Sequence, residues 1–250
     1  MGSGPVPYMT ASLPPVCILA GGLGTRLGAT TQSIPKGLVD VNGEPFLLHQ
    51  MRGLARQGVS HVVLCVGHLG ELIEEALGSE QEGVTITYSY DGPGLDGTLG
   101  AIRRARHLLT ERFLVLYGDT LLVVSYPDLV ASWAASGAPA VMTVLENQGR
   151  WDTSNVRCDA GFVAVYDKHR PDSAMTWIDY GLLGLSSSLL DRVPDASDLA
   201  DLLGELARDH LLAAYPVTER FYEIGTPDAL EETRAYLAGI EAGSPHGGAR

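Results

Sequence analysis

Cysteine is scarce in this chain of 250 residues, and its three examples, Cys17, Cys65 and Cys158, are odd in number and far apart. No disulfide framework is possible on that pattern, and Cys17 and Cys65 lie in apolar, strand-like runs, so the set fits a reducing, cytoplasmic setting. Long hydrophobic runs are missing too. Glycine or a charge interrupts each apolar stretch well short of the roughly 20 residues a bilayer span needs, so no membrane role is expected. Positive charge is in short supply, 17 Lys and Arg against 30 Asp and Glu, a formal net of -13. Such a chain repels a nucleic-acid backbone, and no nucleic-acid partner is expected. The opening residues, MGSGPVPYMTASLPP, have neither the basic region nor the apolar core of a signal peptide. Residues 1–14 read as a flexible arm and 242–250 as a small, polar tail, leaving 15–241 as one domain.

What is present is the composition of a globular protein, 45% hydrophobic and 19% charged. Short apolar runs alternate with longer amphipathic ones, the pattern of strands and helices around a largely parallel sheet. Val16 to Ala20, His61 to Val66, Val84 to Tyr90, Phe113 to Leu116, Ala140 to Leu145 and Phe162 to Tyr166 read as strands, with Ile178 to Leu185 as a glycine-interrupted one. Apolar residues recur at helical spacing in Pro45 to Arg56, Glu71 to Leu77, Thr98 to Leu109, Pro127 to Ser136, Leu199 to Ala207 and Ala229 to Ile240. In the third of these helices Arg103, Arg104 and Arg106 are expected to face water. The fold class is therefore α/β, a single doubly wound, Rossmann-like domain with a mixed, mostly parallel central sheet.

The strongest local signal is Leu19-Ala-Gly-Gly-Leu-Gly-Thr-Arg-Leu27, directly after the first strand. Glycines there let the backbone approach a ligand, and successive N–H groups can form a nest for phosphate. Two common nucleotide templates fail. Counting from Gly22 and Gly24, the third glycine of a dinucleotide fingerprint falls on Leu27, and the chain has no Gly-Lys pair for a Walker A loop. What remains is a Gly-rich loop carrying Arg26, with Pro35-Lys36 ten residues further on. Two cations beside a phosphate-cradling loop suit transfer at a nucleotide α-phosphate, where charge builds on phosphoryl oxygens and the departing pyrophosphate.

The strings LAGGLGTRL and IPKGLVDVNGEPFL resemble the signature of the sugar-1-phosphate nucleotidyltransferases, and the likeness runs from about Pro15 to Leu237. It implies the nucleotide-diphospho-sugar transferase fold and a reaction joining an NTP to a sugar 1-phosphate, giving an NDP-sugar and pyrophosphate. On that likeness Leu19, Ala20, Gly21, Gly22, Gly24, Thr25, Arg26, Lys36, Gly97, Thr98 and Gly118 would bind nucleotide. Asp119, in Gly118-Asp119, and Glu223, in Phe221-Tyr-Glu-Ile-Gly-Thr-Pro227, would hold Mg²⁺; many members have Asp where this chain has Glu223. Lys168, in Tyr166-Asp-Lys168, would hold the sugar phosphate. Trp151-Asp-Thr-Ser-Asn-Val156 and Ile178-Asp-Tyr-Gly181 look most like the heptose and hexose 1-phosphate guanylyltransferase branch, which makes GTP the first nucleotide to test and adds Asn155, Asp167, Asp179, Tyr180 and Gly181 to the sugar-phosphate side. The loop Tyr90-Asp-Gly-Pro-Gly-Leu95 departs from the common pattern, with no Gln or Glu where many relatives place one.

Arg26, Lys36, Asp119 and Lys168 are thus the expected catalytic set. The simpler readings are a tight strand-to-helix connection for the Gly-rich loop, a capping Asp119, a surface Glu223 and a solvated Lys168. UTP, CTP, dTTP and ATP stay open, as does a cyclitol phosphate in place of the sugar. So does a catalytically silent relative that binds nucleotide as a regulatory subunit. A glycosyltransferase using a finished NDP-sugar usually carries Asp-x-Asp, whereas Asp119 is followed by Thr120 and Leu121. The seven histidines form no zinc spacing, and no Ser sits in G-x-S-x-G. A homo-oligomer is expected by analogy alone.

Overall fold

A computed structural model describes residues 12–22, 34–92, 97–195 and 197–241. The expectations for Gly24, Thr25 and Arg26, and those for the two chain ends beyond these limits, lie outside the described residues. In chain order the strands and helices are β1 (Val16–Leu19), β2 (Asp40–Val41), β3 (Glu44–Pro45), α1 (Phe46–Arg56), β4 (His61–Val66), α2 (Gly70–Leu77), β5 (Glu80–Gln81), β6 (Val84–Tyr90), α3 (Gly97–Ala105) and β7 (Arg112–Tyr117). There follow β8 (Thr120–Leu121), α4 (Tyr126–Ser136), β9 (Ala140–Glu146), β10 (Val156–Asp159), β11 (Phe162–Tyr166), β12 (Trp177–Ser186), α5 (Leu199–Arg208), β13 (Leu212–Val217), β14 (Tyr222–Glu223) and α6 (Pro227–Glu241).

A ten-stranded sheet runs β10-β11-β13-β9-β12-β7-β1-β4-β6-β5. β7, β1, β4 and β6 are mutually parallel neighbours, and β13 runs parallel to β9. The remaining contacts, among them β12 with both β7 and β9, are antiparallel. The sheet is mixed as expected, but its parallel character is concentrated in the first half of the chain. β1 and β4 are almost continuously apolar because helices cover both faces of that half. Cys17, Val63 and Cys65 point to the side packed by α3 and α5, while Val16, Ile18, Val62 and Leu64 meet Leu47, Met51 and Leu54 of α1 and Trp133 of α4 on the other.

Cys17 and Cys65 are free thiols whose Sγ atoms lie 3.5 Å apart. The adjoining Cys65 thiol, together with burial, holds the Cys17 thiol well above its ordinary value, so this sulfur packs and does not act as a nucleophile. Among the described residues no helix is long and apolar enough to cross a membrane.

Of the arginines in α3 and its continuation, Arg104 and Arg106 are exposed as expected, while Arg103 departs from the solvated face and is largely covered. Arg103 donates to the carbonyl oxygens of Leu190, Val193 and Pro194, and Arg106 donates to Asp191, so the two staple the turn after β12 onto this helix. Trp133 is fully buried and donates to Ala138 O at 3.0 Å. Gly184 of β12 lies against it, for a Cβ there would stand 2.7 Å from the indole and 2.8 Å from Val141 Cγ1. Gly184→Ala is therefore expected to destabilise the fold by about 1–3 kcal/mol through overpacking, read as a lowered denaturation midpoint. An unchanged midpoint would show that the Trp133 wall gives way freely.

Candidate active site

In open α/β sheets ligands bind beyond the carboxyl ends of the parallel strands, where the winding direction reverses. Here β1 is flanked by β4 on one side and β7 on the other. The residues after β1, β4, β6 and β7 enclose a cleft of about 730 Å³. Its lining takes in Leu19, Ala20, Gly21 and Gly22 from the end of β1, Gly97 and Thr98 from the start of α3, and Gly118 and Asp119 after β7, with Lys36 from the single turn Lys36–Leu38. All the nucleotide-side residues expected from sequence that lie among the described residues are thus brought together.

Backbone crowding explains two of these positions. The Gly118 N–H donates to Leu19 O at 3.0 Å, and a Cβ on Gly118 would stand 2.7 Å from that oxygen and 3.0 Å from Ala20 Cα. Any side chain would push β7 off the phosphate-loop strand. Gly37 is filled from the other side by Leu47 of α1, whose Cδ1 would be 2.5 Å from a Cβ there. This packing anchors the turn that carries Lys36. Lys36 Nζ lies 2.5 Å from Asp119 Oδ2, and Thr120 Oγ1 donates to Asp119 Oδ1 at 3.0 Å. The residue expected to hold phosphate and the residue expected to hold metal therefore meet at one point.

Glu223 approaches from the far end of the chain. β14 pairs antiparallel with β8, Glu223 opposite Thr120, and Ile224 N–H donates to Asp119 O at 3.0 Å. Thr233 of α6 donates to Glu223 O at 2.7 Å. The two carboxylate-bearing backbones are adjacent. Among the described residues no cluster of three or more His, Cys, Asp or Glu could hold a metal. Asp119 lines the cleft and Glu223 reaches its neighbourhood through the backbone pairing of β14 with β8.

On the other side of Tyr117 lies a second polar cluster. Asp179, almost fully buried, accepts from the hydroxyls of Tyr117 at 3.2 Å and Tyr166 at 3.3 Å, and Lys168 Nζ is 3.5 Å away. The Lys168 ammonium also donates to Tyr117 Oη at 3.4 Å and lies over both tyrosine rings. Burial first, and then the Asp179 charge, raise both phenols, so they stay protonated donors. Tyr117 also lines the nucleotide cleft, which makes it the wall shared by the two halves.

A bulge in β12 aims Asp179. The β9 pairing breaks between Asp179 and Leu183, Gly181 takes a φ of +105°, and Thr143 Oγ1 mends the gap by donating to Leu182 O and accepting from Leu182 N–H.

Three of the sugar-side candidates make their contacts within the protein. Tyr180 faces the opposite way, in a small apolar cluster with Leu145, Ile178 and Val217, and its hydroxyl meets the backbone of Val123 and Arg220. It is a packing residue because neighbours along a strand point to opposite faces. Asp167 accepts from the N–H groups of His169 and Arg170 and so shapes the turn that carries Lys168; those bonds lower its carboxyl. Gly181 spends its N–H on Asp179 Oδ1. Asn155 links the elements, its Oδ1 accepting from Asp179 N–H and its carbonyl from Asp167 N–H.

Several contributors escaped sequence reading. Gln50 of α1 donates from Nε2 to Tyr117 O at 3.0 Å and Thr120 O at 2.7 Å, bracketing Gly118-Asp119 from behind. Gly67, His68, Asp91 and Gly92 line the cleft after β4 and β6. Gly67 and His68 could have been named only from the general rule about strand ends, whereas Asp91 and Gly92 lie in the loop Tyr90-Asp-Gly-Pro-Gly-Leu95 that the sequence had already set apart. Asp198, the N-cap of α5, also accepts from Thr98 N–H at 3.1 Å and from the Thr98 hydroxyl, clasping the first turn of α3. Burial pushes the Asp198 carboxyl up, but bonds from Thr98 and Leu199 and the nearby Lys168 charge outweigh it and leave it below the usual carboxylate value.

This geometry defines a glycine-walled α/β cleft with a carboxylate-lysine pair on its floor and a second lysine across one tyrosine. The chain belongs to the MobA-like NTP transferase domain family, whose model matches residues 16–223. It is 30% identical to mannose-1-phosphate guanyltransferase beta-A of Xenopus laevis, the match covering 91% of this chain and 66% of that protein. The chain thus spans about two thirds of the length of that relative. Among solved structures it resembles HddC from Yersinia pseudotuberculosis at a TM-score of 0.76 and 25% identity, covering 90% of this chain and 100% of that one. The HddC structure complexed with GMP-PN gives a TM-score of 0.72 at 24% identity over the same share of each chain.

A carboxylate with a depressed pKa stabilises the fold above its unfolded value, and this stabilisation is lost as pH falls through the folded value. Asp198→Asn should therefore melt below the parent protein near neutrality, and the gap should close below about pH 4. Paired melting curves at pH 7 and pH 3 check this, and a gap that persists in acid would remove the Asp198 charge from the clasp.

Proposed function

We propose that this protein is a sugar-1-phosphate nucleotidyltransferase that uses GTP and a hexose- or heptose-like 1-phosphate to make an NDP-sugar and pyrophosphate. The observation that carries the reading is the meeting of Lys36 and Asp119 at 2.5 Å on the floor of a glycine-walled cleft. Family membership supports nucleotidyl transfer, and the guanyltransferase relatives and the HddC complex with GMP-PN support guanine and a hexose. UTP, CTP, dTTP or ATP would fit the same phosphate chemistry. The free cysteines suit a cytoplasmic setting.

In the reaction a non-bridging oxygen of the sugar 1-phosphate attacks the α-phosphorus. The bond from that phosphorus to the oxygen bridging to the β-phosphate breaks, and pyrophosphate leaves with the electron pair. The attacking oxygen is already anionic near neutral pH, so no general base is required, and rate comes from placement and neutralisation of charge. Lys36 and the Gly21 and Gly22 backbone bind the phosphates of the nucleotide. Lys168, oriented by Asp179, Tyr117 and Tyr166, holds the sugar phosphate. Asp119 and Glu223 are the residues that would hold Mg²⁺, which when bound neutralises charge on the transferring and leaving phosphoryl groups.

Pyrophosphate release from GTP with mannose 1-phosphate as first acceptor tests the proposal. Lys36→Ala and Asp119→Asn should each lower kcat/KM at least about 100-fold in a folded protein, the range for losing one transition-state contact. Lys168→Ala should act mainly on KM for the sugar phosphate and leave KM for GTP near its parent value. Parent-like turnover in Lys36→Ala would take that lysine out of the mechanism. Activity that survives Asp119→Asn and needs no Mg²⁺ would end the metal assignment.

A further inference from the structure

The cleft opens at the edge of the sheet where β7 ends, and two further loops leave the same edge. β12 runs antiparallel to both β7 and β9, so β9 points the same way as β7, and β13 runs parallel to β9. Residues 147–155 follow β9 and residues 218–221 follow β13. The first loop turns back sharply, with left-handed φ values of 50° at Gln148 and 72° at Gly149, and it carries Trp151, 41% exposed. The second carries Arg220. The Arg220 guanidinium stands between two rings, its carbon 4.2 Å from the Trp151 centroid and 4.7 Å from that of Tyr222. Tyr222 in turn stacks on Tyr236 of α6, the centroids 3.8 Å apart and the planes 15° from parallel. Glu232 of α6 accepts from Arg220 Nη2 at 2.6 Å, which fixes the plane of the fork.

The loop so held ends at the sugar half of the site. Asn147, buried at its root, accepts Trp151 N–H at 2.9 Å and donates to Asp152 O and to Ser154 Oγ, which ties the indole to the rest of the loop. Asn155 at its far end accepts the N–H groups of Asp179 and Asp167, each at 3.0 Å. Asp179 is the partner of Lys168, and Asp167 shapes the turn on which Lys168 sits. We propose that Arg220 is a positioning residue for the sugar phosphate: by clamping Trp151 it seats Asn155, and through Asn155 it sets Asp179 and the Lys168 turn. A lysine cannot replace it, since an ammonium has no plane to lie between two rings. The inference rests on the nucleotidyl-transfer reading for what Lys168 holds.

Hydrogen exchange on the full chain, followed by peptide mass analysis, tests the linkage without any substrate. Arg220→Lys should speed exchange about tenfold in residues 147–155 and in the peptides that hold Asp167 and Asp179, the size expected from losing a stacked cation–π contact. Peptides of β1 and β4 should exchange as in the parent, which also shows that the variant is folded. Trp151→Ala should repeat this pattern, Trp151→Phe should stay near the parent, and Arg220→Lys with Trp151→Ala together should be no worse than either alone. In pyrophosphate release, Arg220→Lys should raise KM for mannose 1-phosphate about tenfold and leave kcat and KM for GTP near parent values. Faster exchange that stops short of Asp167 and Asp179 overturns the proposal, as does faster exchange throughout the sheet or an equal rise in both KM values. If the parent releases no pyrophosphate with any NTP, the nucleotidyl-transfer reading falls, and the exchange result still decides whether Arg220 sets the Lys168 turn.

Discussion

The close passage of β7 against the turn that leaves β1 is the constraint on which the site depends. Gly118 makes it possible, since its N–H bonds Leu19 O and a side chain would collide with that oxygen and with Ala20. Once β7 is this near, Asp119 projects into the cleft whose wall is Leu19 to Gly22, and Gln50 fixes the carbonyls on either side of it. The strand before this point and the loop after it have opposite demands. β7 must be apolar to be buried on both faces, whereas Asp119 must meet water, phosphate or a cation. The chain passes from one regime to the other at Tyr117, whose ring walls the cleft and whose hydroxyl is spent on Asp179.

The sugar half is antiparallel for a related reason. A parallel strand needs a crossover helix that covers the sheet, whereas hairpins leave loop ends free to carry polar groups. β10, β11 and β12 deliver Asn155, Lys168 and Asp179 this way. The bulge in β12 costs pairing with β9, and Thr143 recovers part of that cost by serving the exposed backbone of Leu182 through both its donor and its acceptor. Such a local departure from regular structure, partly repaired by a buried side chain, is what holds Asp179 under Lys168.

The first half of the fold was readable because burial on both faces writes uninterrupted apolar runs and because helices between them keep a 3.6-residue period. The strands from His61 to Val66 and Val84 to Tyr90 match the structure residue for residue. β13, Leu-Ala-Ala-Tyr-Pro-Val, was not readable, since Pro216 and two alanines argue against a strand and only its neighbours β9 and β11 make it one. Of the candidate site, the lysines and acids set in glycine-containing motifs stood out, because close backbone approach leaves a compositional mark. The packing of Tyr180 and the turn formed by Asp167 were not legible, because strand facing and turn geometry depend on register and local backbone. Gln50 and Asp198 left no mark at all, as each acts through another residue's backbone from a distant helix.

Charge is the remaining question for a protein with a formal net of -13 that is proposed to hold two phosphorylated substrates. Long-range attraction is unavailable, so the work falls to groups inside the cleft. The two lysines on hand are each set against a carboxylate, Lys36 on Asp119 and Lys168 on Asp179. That pairing gives each ammonium a counter-charge, at 2.5 Å and 3.5 Å respectively. It also means that neither lysine offers a full positive charge to an incoming phosphate. On the proposed reading a cation accompanying the nucleotide would supply the positive charge that the floor lacks. It would satisfy Asp119 and Glu223, release Lys36 toward the phosphates, and turn a nearly neutral floor into a positive one only when both nucleotide and metal are in place.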